Sequence, residues 1–445
     1  MSVWQRDQTT PSLPEVHSTV SVPTNARLWR KVLAFIGPGL LVSVGYMDPG
    51  NWATDLAGGA QFGYTLLSVI LISNFMAILL QHLSLKLGIV TGRDLAQACR
   101  DNYSKSTVIF LWIICEIAIA ACDLAEVIGS AIALNLLFHI PLVVGVLITA
   151  FDVLIVLFLQ NKGFRFLECL VAILIVTIGG CFAYELMISH PVWGTMVGHL
   201  IPEHEIITNP DMLYIAIGIL GATVMPHNLY LHSSIVQTRA FERNEQGRAM
   251  AIHYAAFDSA SALFCAFFIN AAILIVSASV FHGTAHENVA DINDAYQLLS
   301  PVLGVPLASL LFAVALLASG QNSTLTGTLA GQIVMEGFLD IRLRPWVRRL
   351  ITRLMAIVPA VIVAAIFGQR GVGNLLILSQ VILSLQLGFA VVPLVIFTND
   401  KDKMGCFANG WWLKVLAWIV TTVIILLNIY LLIRTVLPLF GWALG

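Results

Sequence analysis

Gly45-Tyr46-Met47-Asp48-Pro49-Gly50-Asn51 lies inside one long apolar run, and Gly221-Ala222-Thr223-Val224-Met225-Pro226-His227-Asn228 lies inside another. Each stretch sets a proline in the middle of a segment long enough to cross a bilayer. Proline has no N–H, and its ring clashes with the carbonyl four residues back. Gly50 and Asn228 lower helix propensity further. The residue before each proline, Asp48 or Met225, is pushed out of the helical region. Both segments are therefore expected to unwind at mid-depth and expose carbonyls, which is tolerated only where protein lines a cavity. The competing reading is a pair of harmless kinks. Against it stands Asp48, because an acid at the centre of a span costs about 2.5 to 3.5 kcal/mol and needs a purpose.

Working outward, the chain of 445 residues is 58% hydrophobic and only 11% charged, against about 25% charged in an average soluble chain. So few charges cannot build a water-facing surface, and the fold class expected is an all-α integral membrane bundle. A formal net charge of −2 and the lack of a basic patch argue against nucleic acid as a partner. Seven cysteines lie scattered, mostly in apolar runs and without a CxxC pair, and read as small apolar fillers. Residues 1–31 are polar, carry Pro11, Pro14 and Pro23, and read as a mobile cytoplasmic tail. No short apolar core with a small-residue cleavage site opens the chain, so no cleaved leader is expected.

A spanning helix needs about 20 mainly apolar residues. Eleven segments qualify: 33–59, 64–90, 107–137, 141–160, 166–189, 212–237, 252–281, 299–335, 347–368, 373–398 and 412–438. The basic residues test this count. Arg27, Arg30 and Lys31 precede the first span, Arg93 and Arg100 follow the second, and Arg239 and Arg243 follow the sixth. Arg342, Arg344, Arg348 and Arg349 follow the eighth, and Lys401 and Lys403 follow the tenth, so nearly all lie on one side. The positive-inside rule then puts the N-terminus in the cytoplasm and, with an odd number of spans, the C-terminus outside.

The two broken helices open successive sets of five, and because five is odd the sets run in opposite senses. The expected units are a tail (1–31), two inverted repeats (32–190 and 211–398), and a last span with the C-terminus (399–445). Paired interrupted helices in inverted halves point to the binding site of a secondary transporter. Together the breaks offer the Asp48 carboxylate, the Asn51 amide oxygen, the Met225 thioether and freed carbonyls, of which Ala222 is best placed. Oxygen donors alone suit Ca2+ or Mg2+. The thioether shifts preference to Mn2+, Fe2+ and later transition metals.

At these residues the chain resembles the Nramp family of proton-coupled divalent-metal transporters. Asp48-Pro49-Gly50-Asn51 with Ala57-Gly58-Gly59 resembles the family's first motif, and Met225-Pro226-His227-Asn228 with Leu231-His232-Ser233-Ser234 its second. Gly320-Gln321-Asn322-Ser323-Thr324 through Glu336-Gly337-Phe338 resembles a third, in the eighth span. The likeness runs from about residue 30 onward. It implies a LeuT-like fold with metal held at Asp48, Asn51, Ala222 and Met225. It also implies an approach by Gln386, although Gly388 stands where many members have proline. Relatives that carry Mg2+ or Al3+ depart at the methionine, which this chain keeps.

The third span carries Glu116, Asp123 and Glu126. At about 100° per residue they share one broad face and cover roughly 15 Å of axis. Acids at that depth should line water or find partners, so they form an expected proton route with Asp48 and His227, and Arg353 serves as counter-charge. Asp152, Glu168 and Asp258 are expected to make structural pairs. No cofactor and no obligate protein partner are indicated. Among rivals, a symporter for an amino acid or Na+ would leave Met225 without a role, and Asp48 would repel a substrate carboxylate. A metal-binding sensor would need a signalling domain. An enzyme is excluded, because His286-Glu287 has no second histidine at metalloprotease spacing and there is no P-loop or nucleophile elbow. The outer loops lack an N-x-Ser/Thr acceptor, which fits a bacterial plasma membrane.

Overall fold

The computed structural model describes residues 11–14, 16–22, 27–149, 151, 163–284, 292–305, 307–341, 347, 351, 354–355, 357–362, 366 and 372–436. Almost all of them are helical. A short strand β1 (Val20–Ser21) precedes α1 (Leu28–Phe35), α2 (Pro38–Val44) and α3 (Pro49–Phe62), which together make the first span. Next come α4 (Leu67–Thr91), a short α5 (Leu95–Asn102), α6 (Lys105–Phe138), α7 (Leu142–Thr149) and α8 (Phe164–Ile188). The second half holds α9 (Pro210–Thr223), α10 (Pro226–Ile235), strand β2 (Arg239–Ala240), α11 (Glu245–Phe281) and α12 (Ile292–Leu303). It ends with α13 (Leu307–Leu339), α14 (Val372–Asn399) and α15 (Trp411–Val436).

Among the described residues, eight helices are long and apolar enough to cross a membrane, or nine if the bent pair that opens the first span is included. About half of each of the expected spans at 141–160 and 347–368 falls outside the described residues. The broken span 210–238 is 94% enclosed by protein, whereas the last span is only 33% enclosed. The breaks therefore sit at the centre of the bundle and α15 runs along its lipid edge. Small residues allow this closeness. A Cβ on Gly221 would stand 2.1 Å from the carbonyl oxygen of Gln380, so α9 and α14 meet backbone to backbone. Around the core, α13 packs along α6, and α11 packs against α3 and α4. Trp52 of α3 is wedged edge-on against Phe182 and Phe312, with ring centroids 4.7 and 5.2 Å away.

The N-terminal half of the first span has a second interruption, at Gly37 (φ 143°). The polar groups freed there are all met. Buried Arg239 donates to the carbonyls of Ala34 (3.0 Å) and Ile36 (2.8 Å) and pairs with Glu168 at 2.7 Å. Arg165 donates to the Leu33 and Ile36 carbonyls and to Glu168. Asp258 accepts from the N–H groups of Gly37 and Gly39. Glu168 and Asp258 thus make the structural pairings expected of them, while Asp152 lies outside the described residues. The tail expected to be mobile is built in where it is described: Leu13 is 2% exposed, and β1 pairs in parallel with β2.

Candidate metal site

Both breaks form where the prolines require them. Asp48 is extended (φ −70°, ψ 165°) and caps α3, its Oδ1 accepting from the Asn51 N–H at 2.7 Å, with Pro49 in the first turn. Met225 is likewise extended (φ −70°, ψ 124°) before Pro226, which opens α10. In a continuous helix, a carbonyl at position i would accept from the N–H at i+4. Proline occupies i+4 for Gly45 and for Ala222, so these two carbonyls have no helical donor. They turn to the same group: Asn51 Nδ2 lies 3.2 Å from Gly45 O, 3.1 Å from Ala222 O and 2.7 Å from Asp48 Oδ1. Two proline-orphaned carbonyls and one carboxylate, drawn from both halves of the chain, converge on one electropositive atom. Asn51 Oδ1 faces away and accepts from Asn270 of α11 at 3.3 Å.

Met225 completes this cluster with a soft atom. A Cβ on Gly45 would lie 3.1 Å from the Met225 sulfur and 2.2 Å from Asn228 Nδ2, so the thioether lies against the backbone that supplies the Gly45 carbonyl. Asp48, Ala222 and Met225 are 0% exposed and Asn51 is 1% exposed, an occluded arrangement. Asp48 Oδ2 is buried without a hydrogen-bond partner among the described residues. From α14, the glutamine that lies against the turn after Asp48 is Gln380. Its amide fills the space where a Cβ on Gly50 would point. Gln386, the expected residue, lies about 9 Å further along the axis and sits beside Tyr230.

The expected carboxylates of the third span are in α6. Asp123 and Glu126 are 5% and 1% exposed and converge on α13 at one glycine. A Cβ on Gly327 would meet Glu126 Oε1 at 2.9 Å and Asp123 Oδ1 at 3.1 Å. Glu126 Oε1 also accepts from Ser323 at 2.8 Å. Glu116 stands apart, half-buried and accepting from Trp112 at 3.0 Å. His227, beside the break, reaches α6 through Cys122: the thiol lies 3.8 Å from His227 Nε2 and 3.7 Å from Glu126 Oε1. Arg353 lies outside the described residues.

Residues 39–434 match the family model described as Natural resistance-associated macrophage protein-like. This chain belongs to the Nramp family. It is 62% identical over 436 residues to the Listeria welshimeri protein named divalent metal cation transporter MntH, covering 98% of this chain and 97% of that one. Among solved structures, the Eremococcus coleocola manganese transporter superposes with a TM-score of 0.90 at 42% identity, over 98% of this chain and 93% of that one. MhsT, solved in complex with L-phenylalanine, is similar at a TM-score of 0.58 and 14% identity over 88% of this chain and 98% of that one, a likeness of fold alone. The LeuT-like fold implied by the family resemblance is the fold observed.

Near this Nramp site, Gln380 and Cys122 escaped sequence reasoning, and nothing in the sequence singled out Asn270. Gln380 carried no signal that set it apart from Gln386 on the same helix. Asn270 was one polar residue in a long apolar run, and only folding places its amide against Asn51 and the Tyr46 carbonyl. Cys122 read as filler by composition, yet it lies between His227 and Glu126. Near the break, Gln81 joins the Tyr46 hydroxyl (3.0 Å) to His232 Nδ1 (2.9 Å), tying α2's end, α4 and α10 together.

Proposed function

We propose that this Nramp protein imports divalent transition-metal ions, Mn2+ foremost and Fe2+ as well, across a bacterial plasma membrane by proton-coupled alternating access. The observation that carries the reading is the convergence of the Gly45 and Ala222 carbonyls and the Asp48 carboxylate beside the Met225 thioether. A single cation placed where Asn51 Nδ2 now stands would meet oxygens from both breaks. Asn51 would turn its amide so that Oδ1 faces the ion, and Gln380 would fill a further position from α14. Hard oxygens with one soft sulfur favour a transition metal over Ca2+ and Mg2+. Gln386, beside Tyr230, would meet the ion only after it moves inward.

The proton half of the cycle follows the side chains. A proton displaced at Asp48 has His227 next to the break, then Cys122, then Glu126 and Asp123 facing α13. Glu116 and Arg353 extend this route on the sequence argument alone. The same reading takes 32–190 and 211–398 as inverted repeats that rock about the fixed site, residues 1–31 as a cytoplasmic tail, and 399–445 as a last span that ends outside. Relatives named divalent metal cation transporters support it.

The test is Mn2+ entry into liposomes holding the purified chain, read with a trapped fluorophore and a pH dye, with and without excess Ca2+. Mn2+ entry should persist against Ca2+ and acidify the lumen. Asp48→Asn should stop it, and Met225→Ala should admit competition by Ca2+. An Asp48→Asn chain that transports normally would rule the site out.

A further inference from the structure

We infer that residues 11–14 and 16–22 form a cytoplasmic strap that holds the inner gate shut and must lift before the ion can leave; this rests on the transport reading above. The strap is anchored at three places. At its start, Leu13 is 2% exposed and its N–H donates to Glu336 Oε2 at 3.0 Å, at the cytoplasmic end of α13. Beside it, Ser12 is likewise buried, at 6% exposed. Further on, the Ser18 N–H donates to the Gln237 carbonyl at 3.0 Å, Val20 and Ser21 pair with Arg239 and Ala240, and the Val22 N–H reaches the Ala240 carbonyl at 3.4 Å. Val22 then packs into a small apolar cluster with Ala34 and Phe35 of α1 and Val236 beyond α10.

What the strap joins gives it a mechanical role. Asp48 and Met225 are extended residues between helical pieces, so the cytoplasmic pieces, α1–α2 and α10, can pivot there against the rest of the bundle. Both pieces carry the strap. β2 directly follows the α10 segment, and Arg239 within it grips the end of α1 through the Ala34 and Ile36 carbonyls. The far end of the strap is fixed to α13, which contains no such break. Backbone hydrogen bonds and one buried leucine hold without a large interface, so the strap can be released and remade in each cycle.

The test pairs Ser21→Cys with Ala240→Cys, residues that face each other across the two strands, in the full chain reconstituted in liposomes. Oxidation, with the bond verified by peptide mass, should lower Mn2+ uptake at least tenfold, and reductant should restore it. A second arm needs no transport: Leu13→Asp sets a carboxylate against Glu336 and should speed hydrogen exchange at residues 28–36 and 237–243 about tenfold. Uptake at the native rate by the oxidised pair, or unchanged exchange in Leu13→Asp, overturns the strap. Failure of the reduced and native chains to move Mn2+ would sink the transport reading instead, and the exchange arm would still decide the strap.

Discussion

Pro226→Ala should make the protein more stable and weaken its grip on metal. The native proline denies the Ala222 carbonyl its helical donor and keeps Met225 extended at ψ 124°. Alanine restores the N–H and favours helix by about 3 kcal/mol over proline. The break is held open only by what the Ala222 carbonyl gains elsewhere, its 3.1 Å bond from Asn51, worth about 1 kcal/mol net. The difference, about 2 kcal/mol, would drive the helix through position 225, consume the carbonyl and carry the thioether away from Gly45. Binding an ion would then require reopening the break, which at about 1.4 kcal/mol per decade weakens affinity roughly 30-fold. Calorimetric titration of the purified chain with Mn2+, beside its thermal unfolding, measures both halves. A variant that unfolds at a higher temperature yet binds Mn2+ within threefold of native would refute the idea that proline-orphaned carbonyls hold the ion.

Two other changes separate the proposed proton route and the packing around α5 from metal binding. Gly327→Ala would place a methyl 2.9 Å from Glu126 Oε1 and 3.1 Å from Asp123 Oδ1; it should spare Mn2+ affinity in titration but lower the acidification that accompanies each unit of uptake. At the cap of α5, burial lifts the Asp94 carboxyl from 3.8 to about 6, outweighing the hydrogen bond from the Gln97 N–H. The folded chain then holds this proton more tightly than the unfolded chain, so the stability it contributes is present below pH 4 and is lost as pH rises through about 6. The loss is about 3 kcal/mol at 1.36 kcal/mol per unit. Asp94→Asn should flatten that slope in thermal unfolding between pH 4 and 7, and an unchanged slope would remove Asp94 as its source.

The parts of this site that were legible in the sequence are those whose physics is local. A proline acts on its own turn, so Pro49 and Pro226 announced both breaks. An aspartate at mid-span is costly wherever its neighbours lie, so Asp48 was conspicuous. The periodicity of the third span put Asp123 and Glu126 on one face, and they do share one, at Gly327. Glu116 obeys the same arithmetic but pairs with Trp112 instead, because what a helix face meets depends on the neighbouring helices.

Composition and the two interrupted helices determined by themselves that the chain spans a membrane and where its backbone breaks, the place proposed for the ion's donors, since each follows from covalent constraint or the cost of burying charge. Tertiary structure alone decided which partners meet. The choice of Gln380 over Gln386 depends on the register of α14 against α3, and the contact of Cys122 with His227 depends on how α6 passes the break. The packing of Leu13 under α13 depends on groups 323 residues apart. Such contacts are set by close packing between distant segments, which no local pattern of side chains encodes.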